Sequence, residues 1–338
     1  MSSLPPGEAL PIWPPSGPPR FHQRVVETQT AENEPSHGPF HYSPTNSKTT
    51  KMQTNKQKIW FVTGASKGLG LVLVRQLLAQ GHAVAATSRH AEELTQAVQP
   101  TAADRFLPLQ VNLGDEASVR QALETTVRTL GGLDVVVNNA GYGQVGALEE
   151  LTDQEARQNF DVNVFGTLNV LRHATPYLRQ QGHGRVFNIS SIGGFNGNFP
   201  GWGIYCATKF AVTGLTEAYA AEVQSFGIGA TVVMPGYFRT EFLSAGSLGT
   251  PAHALDAYQL VRDSQQAHAN DINGNQPGDP AKAVALLIEV SEAENPPLHL
   301  FLGEDAYAAA ESQIAAVRHD MKQWQQAATA TGFVSEPA

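Results

Sequence analysis

The chain is short of several things, and each shortage narrows what it can be. It has 338 residues and one cysteine, Cys206. That excludes an internal disulfide framework and fits a reducing compartment, so a cytoplasmic location is expected. Basic residues are outnumbered, 22 Lys and Arg against 31 Asp and Glu, for a net charge of −9. Such a balance argues against nucleic acid or an anionic membrane as the main partner. No apolar run reaches the roughly 18 residues that a membrane span needs. The N-terminus has no apolar stretch of the secretory-signal kind. The histidines show no metal-ligand spacing with cysteine or carboxylates, so no metal is expected. No serine sits in a Gly-x-Ser-x-Gly elbow, and no repeat of 20–50 residues appears. Asn188-Ile-Ser190 matches a glycosylation sequon but falls on a buried-type strand, so the match reads as accidental.

What is present is unevenly spread. Ten of the 21 prolines lie in the first 44 positions, where apolar residues show no period. Residues 1–56 therefore read as a Pro-rich disordered tail. A Pro-rich ligand for a partner domain is an alternative, as is a true start at Met52. From Lys58 onward, strands and helices alternate. Strands are expected at 58–63, 82–87, 105–111, 133–137, 185–189, 230–234 and 298–302. Between them lie helical runs, one capped by Asp115, one capped by Thr152-Asp153 and bent near Pro176, and one after residue 204. Strands separated by helix-length segments imply parallel βαβ units. The expected fold is a single α/β domain over 57–338, a doubly wound, mostly parallel seven-stranded Rossmann sheet. Its weakly patterned segment 240–280 is expected to roof a substrate pocket.

Four stretches carry chemistry. Tyr205 and Lys209 are four apart on one helix face, roughly 5–6 Å between Cβ atoms. A nearby ammonium favours a phenolate and draws a phenol near pKa 10 toward neutrality, where it can trade a proton with a carbonyl oxygen. The Gly-rich loop before them lets Ser191 approach the tyrosine. Taken alone, the pair is common on helix surfaces. Thr63-Gly64-Ala-Ser-Lys-Gly68-Leu-Gly70 lies between the first strand and its helix, where glycines let the backbone approach a pyrophosphate at a helix N-terminus. The second strand ends in Ser88-Arg89, with no acid for a ribose 2′-hydroxyl. With Lys67 nearby, that favours a 2′-phosphate, hence NADP(H) over NAD(H). Asn138-Asn139-Ala140-Gly141 ends the fourth strand beside the same crevice. Asn163 is an amide on an otherwise apolar helix and needs a partner if buried. Cys206 packs as a small hydrophobe. Phe195, Phe199, Trp202 and Phe242 are expected to line the substrate pocket and to suit a bulky or aromatic carbonyl.

In that order, with Ser190-Ser191, Tyr205-Cys-Ala-Thr-Lys209 and Pro235-Gly236, these motifs closely resemble the short-chain dehydrogenase/reductase family over roughly residues 58–303. The resemblance implies an oxidoreductase that interconverts a ketone or aldehyde and an alcohol. Its implied catalytic set is Asn163, which supports a water in a proton relay, Ser191, which holds the substrate oxygen, Tyr205, the acid-base group, and Lys209, which binds nicotinamide ribose and lowers the phenol's pKa. The cofactor-binding set is Gly64, Ser66, Lys67, Gly68, Leu69, Gly70, Arg89, Asn112, Leu113, Asn139, Ala140, Gly141, Tyr205, Lys209, Pro235, Gly236, Phe238 and Thr240. Two features depart from the family. Asn112 stands where an aspartate is usual, and Ser191 precedes Tyr205 by one residue more than the commonest spacing, which leaves Ser190 open as the substrate serine. The family also implies a homodimer or homotetramer. A non-catalytic dinucleotide sensor and a sugar-nucleotide epimerase are the rival readings.

Overall fold

In a computed structural model, residues 57–100, 105–244 and 246–333 are described. The Pro-rich tail and Met52 lie outside them. Nine strands occur in the described chain: β1 (Ile59–Val62), β2 (Ala83–Ser88), β3 (Phe106–Gln110), β4 (Val135–Asn138), β5 (Gly143–Gln144), β6 (Gly184–Ile189), β7 (Ile228–Pro235), β8 (Leu248–Gly249) and β9 (His299–Leu302). The α-helices are α1 (Gly68–Ala79), α2 (Ala91–Val98), α3 (Glu116–Leu130), α4 (Asp153–Phe160), α5 (Gly166–Gln181), α6 (Gly203–Val223), α7 (Gln259–Gln266), α8 (Pro280–Glu292) and α9 (Glu304–Thr329). No described helix is long and apolar enough to cross a membrane.

Seven strands form one sheet in the order β3-β2-β1-β4-β6-β7-β9, and every pairing in it is parallel. The period-2 alternation of each strand explains its two buried faces. On β1, Trp60 and Val62 pack toward α1, α2 and α8, while Phe61 packs toward α3, α5 and α6. Val135 and Val137 share the first face and Val136 the second. Each large side chain buried this way contributes roughly 1.5–3 kcal/mol. Because both faces are covered, the strands read as near-continuous apolar runs.

Sequence signals set most helix ends. Asp115 accepts from the amides of Ala117 and Ser118. Thr152 and Glu155 form a reciprocal capping box. The helix after Thr152 runs through Pro176 to Gln181. A π-helical turn at Asp161–Phe165 joins α4 to α5. The winding direction reverses between β1 and β4, and ligand crevices of such sheets open at the carboxyl ends of the strands there. The two-residue pair β5–β8 has no sequence signal. It ties residues 247–249 back to 143–145, Gly143 N–H donating to Ser247 O over 2.9 Å and Val145 N–H to Gly249 O over 2.9 Å. The segment leaves and rejoins the body at one point, where Arg239 N–H donates to Gly278 O and Gly278 N–H to Tyr237 O.

Candidate active site

One cleft of about 1180 Å³ runs across the carboxyl ends of β1, β2, β3, β4, β6 and β7. At one end stands the turn between β1 and α1. Gly64 takes φ +65°, and a Cβ there would stand 2.7 Å from Ala140 Cα, so only glycine lets the turns after β1 and β4 touch. Asn139 braces the contact, its side-chain amide donating to Thr63 O and Gly64 O at 2.9 Å. Helix α1 opens toward this cleft with no side-chain cap and no acid in its first turn. Its first amides and the positive end of its dipole are left for an anion. Gly70 packs behind the turn against Gly64 O and Ala65. A dinucleotide's pyrophosphate fits this cradle.

Ser66, Lys67, Leu69, Arg89, Asn112, Leu113, Gly141, Pro235, Gly236, Phe238 and Thr240 all line the same cleft. Arg89 is exposed at its rim, at the end of β2. Lys67 does not stand with it: its ammonium donates to Gly246 O at 3.1 Å, across to the 240–280 segment. The Asn112 side-chain oxygen accepts from Gly114 N–H at 3.1 Å, which leaves its NH₂ as the donor.

At the middle of the cleft, α6 presents Tyr205 and Lys209, both buried. Lys209 Nζ donates to Ile189 O at 2.8 Å and lies 5.8 Å from the Tyr205 ring centroid. Burial pushes the lysine down to about 8. Burial also pushes the Tyr205 phenol above its ordinary value, with a hydrogen bond from Ser191 pulling the other way. The expected lowering of this phenol by Lys209 is therefore not met in this arrangement. Desolvation of the phenolate outweighs a cation that is turned to a carbonyl, and the phenol stays protonated.

The two serines separate clearly. Ser190 Oγ donates to Lys209 O at 2.9 Å and meets Thr213 Oγ1 at 3.1 Å, which locks β6 to α6. Ser191 accepts from Gly193 N–H at 3.0 Å and turns to Tyr205. Asn163 is absent from the cleft wall. Its oxygen accepts from Tyr142 N–H and its NH₂ donates to Tyr142 O and Thr208 Oγ1, each at 3.0 Å. It sits in the π-helical turn and clamps the peptide after Gly141. Asn188 is fully buried and bonded to Asn138 and Thr216, so the sequon is inert. Burial pushes the Cys206 thiol up to about 11, leaving it a neutral apolar neighbour.

Beyond Tyr205 the cleft is lined by Phe199, Trp202, Phe242, Leu243 and Leu248. Phe195 is a correction: it turns to the far side of its loop and packs edge-on against Phe301 of β9, centroids 5.3 Å apart. Sequence reasoning missed Gln144, Tyr237, His268 and Gln276, which also line this half. Only Tyr237 had a signal, its place directly after Pro235-Gly236.

A family profile described as "short chain dehydrogenase" matches residues 58–247. A 3-ketodihydrosphingosine reductase of Bacteroides thetaiotaomicron is 36% identical over 248 residues, 73% of this chain and 88% of the relative. The crystal structure of a short-chain dehydrogenase from Streptomyces avermitilis superposes with a TM-score of 0.75 at 36% identity, over 82% of this chain and all of the other. ElxO with NADP bound gives 0.62 at 25% identity, over 75% of this chain and 99% of its own.

Proposed function

The chain belongs to the short-chain dehydrogenase/reductase family, oxidoreductases acting on CH–OH groups that use a nicotinamide dinucleotide, and from that premise we propose that it interconverts a bulky, apolar ketone or aldehyde and its alcohol with Tyr205 as proton carrier and NADP(H) as the preferred cofactor. The observation that carries the reading is the meeting of Ser191, Tyr205 and Lys209 midway along a cleft that begins at an uncapped helix N-terminus. When bound, the nicotinamide supplies or accepts a hydride. In this reading the chain does the rest. Gly64, Gly68 and the first turn of α1 hold the pyrophosphate, and Asn139 keeps the turns after β1 and β4 in contact. Ser191 and Tyr205 hold the substrate oxygen from one side. In the reducing direction the phenol gives its proton to that oxygen, and in the oxidising direction the phenolate takes it back. Burial keeps the phenol protonated near neutrality, which readies it as an acid. Lys209, buried beside it, stabilises the phenolate left after transfer and offers N–H donors to the ribose. Asn163 positions these groups through Tyr142 and Thr208 without touching the reacting atoms.

The preference for NADP(H) is supported by Arg89 at the end of β2, where a ribose-reading acid would otherwise stand. Lys67 can join it only by leaving Gly246. A cytoplasmic setting is supported by the lone buried thiol. The test is consumption of NADPH and of NADH against a panel of aryl and alkyl ketones and aldehydes. Turnover of bulky apolar carbonyls, faster with NADPH, is expected. Absence of turnover across the panel with tight cofactor binding would support a sensor instead.

A further inference from the structure

The substrate half of the cleft holds a polar chain that the proton transfer does not use. His268 lies in a π-helical turn, Ala267–Ile272, directly after α7. It is 8% exposed, and its Nδ1 stands 2.7 Å from the carbonyl oxygen of Ser264. A carbonyl can only accept, so Nδ1 carries the ring proton. Burial holds the imidazole below its ordinary pKa, so the ring is neutral near pH 7 and Nε2 is a bare acceptor. The Tyr237 hydroxyl lies 2.9 Å from Nε2 and therefore donates to it. Burial, then the charge of Asp305, pushes the Tyr237 phenol up to about 12, so that proton stays in place. Trp202 packs over the imidazole with centroids 4.8 Å apart and meets Tyr205 edge-on at 5.6 Å, which fixes the ring next to the proton-transfer site.

Direction follows from this order. The sequence Tyr237 O–H to His268 Nε2, then His268 Nδ1–H to Ser264 O, commits the tyrosine's only proton to the imidazole. Tyr237 lines the cleft and has only lone pairs left to offer it. A free phenol could rotate to suit either kind of substrate group. A phenol held by a neutral imidazole of fixed tautomer cannot.

Resting on the proposed carbonyl reduction, we infer that Tyr237, oriented by His268, determines specificity by accepting a hydrogen bond from the substrate. The preferred substrates are bulky apolar carbonyl compounds that also carry a hydroxyl or amide N–H, ahead of plain ketones and keto acids. A site built to accept from a substrate hydroxyl penalises an analogue without one, because the phenol oxygen, closed off from water by the bound ligand, then lacks a donor to its free lone pair.

The test uses aryl ketones in matched trios, with a hydroxyl, a methoxyl or a hydrogen on the α, β or γ carbon. In at least one trio the wild type should favour the hydroxy ketone over its methyl ether by about tenfold or more in kcat/KM, chiefly through KM. Tyr237→Phe should bring that ratio to within about twofold. His268→Leu should lower it as well, while His268→Gln, whose amide oxygen can accept from the phenol, should keep most of it. A purely structural role would depress all members of a trio alike. Calorimetric titration of the same ligands into the cofactor-loaded protein separates two failures. If no ketone is turned over but the hydroxy ligand binds more tightly than its ether in wild type only, the carbonyl reading falls and the recognition stands. A ratio near one in every wild-type trio, or a preference that survives Tyr237→Phe, overturns the inference.

Discussion

Lys209 should cost the fold stability, and removing its charge should show how much. Lys209 is 4% exposed, and burial lowers its pKa from 10.5 to about 8. A lysine with a lowered folded pKa binds its proton less well in the native state. The penalty is full below the folded value and fades as pH rises toward the unfolded one. That lowering corresponds to about 3 kcal/mol at pH 7, falling to about 1 kcal/mol near pH 9.5. Wild-type stability should therefore gain about 2 kcal/mol over that interval from this residue alone. Lys209→Met keeps the length of the side chain and removes the charge, at the loss of the bond to Ile189 O. That loss costs roughly 1–3 kcal/mol at either pH, so it cancels in the comparison between the two. Urea unfolding of the cofactor-free protein at both pH values, wild type against Lys209→Met, reads the difference. A gain about 2 kcal/mol larger in wild type is expected. Equal pH dependence in the two proteins would mean that the lysine is solvated and not held under desolvation strain.

Replacing Arg89 with Asp should weaken NADPH binding at least about tenfold and favour NADH, since a charge-assisted bond to the 2′-phosphate becomes a repulsion; calorimetry with both cofactors checks it, and equal wild-type affinities would make Arg89 a bystander. Gly64→Ala combines about 1–2 kcal/mol of left-handed backbone cost with about 1–3 kcal/mol of overpacking against Ala140. Gly182→Ala, at φ +75° with nothing within 4 Å, carries the backbone cost alone. Urea unfolding should rank the two accordingly, and equal losses would mean that the turns after β1 and β4 do not press on each other.

Much of this site was readable because its signals are local. The spacing of Tyr205 and Lys209 needs only helix geometry, and the glycines at 64, 68 and 70 need only a strand before them and a helix after. What escaped depends on chain segments far apart. The direction of the Lys209 ammonium is set by the end of β6, twenty residues earlier. Lys67 meets Gly246 across 179 residues. Phe195 sits among aromatics that do line the pocket, and nothing near it in sequence announces Phe301. Asn163 was expected to need a partner if buried, and its partners, Tyr142 and Thr208, come from other elements. The π-helical turn re-aims it at Tyr142. Among the described residues His268 is the clearest omission. It lies in a polar stretch without period, and its meaning comes from Tyr237 and Ser264 together.

In the proposed mechanism everything turns on the Tyr205 phenol, which carries the proton. Tyr205→Phe keeps the ring and its packing against Trp202 and Phe242 while removing the only hydroxyl proposed to transfer its proton. General acid catalysis is worth about 10²–10⁴-fold, so kcat on a turned-over ketone should fall by that factor. Cofactor affinity should stay close to wild type, because the ring makes the same contacts. Single-turnover kinetics with bound NADPH, measured beside a calorimetric cofactor titration, reads both at once. A hundredfold or greater loss of rate with unchanged cofactor binding is the predicted result (about 10² or more), and near-normal turnover by Tyr205→Phe would contradict it.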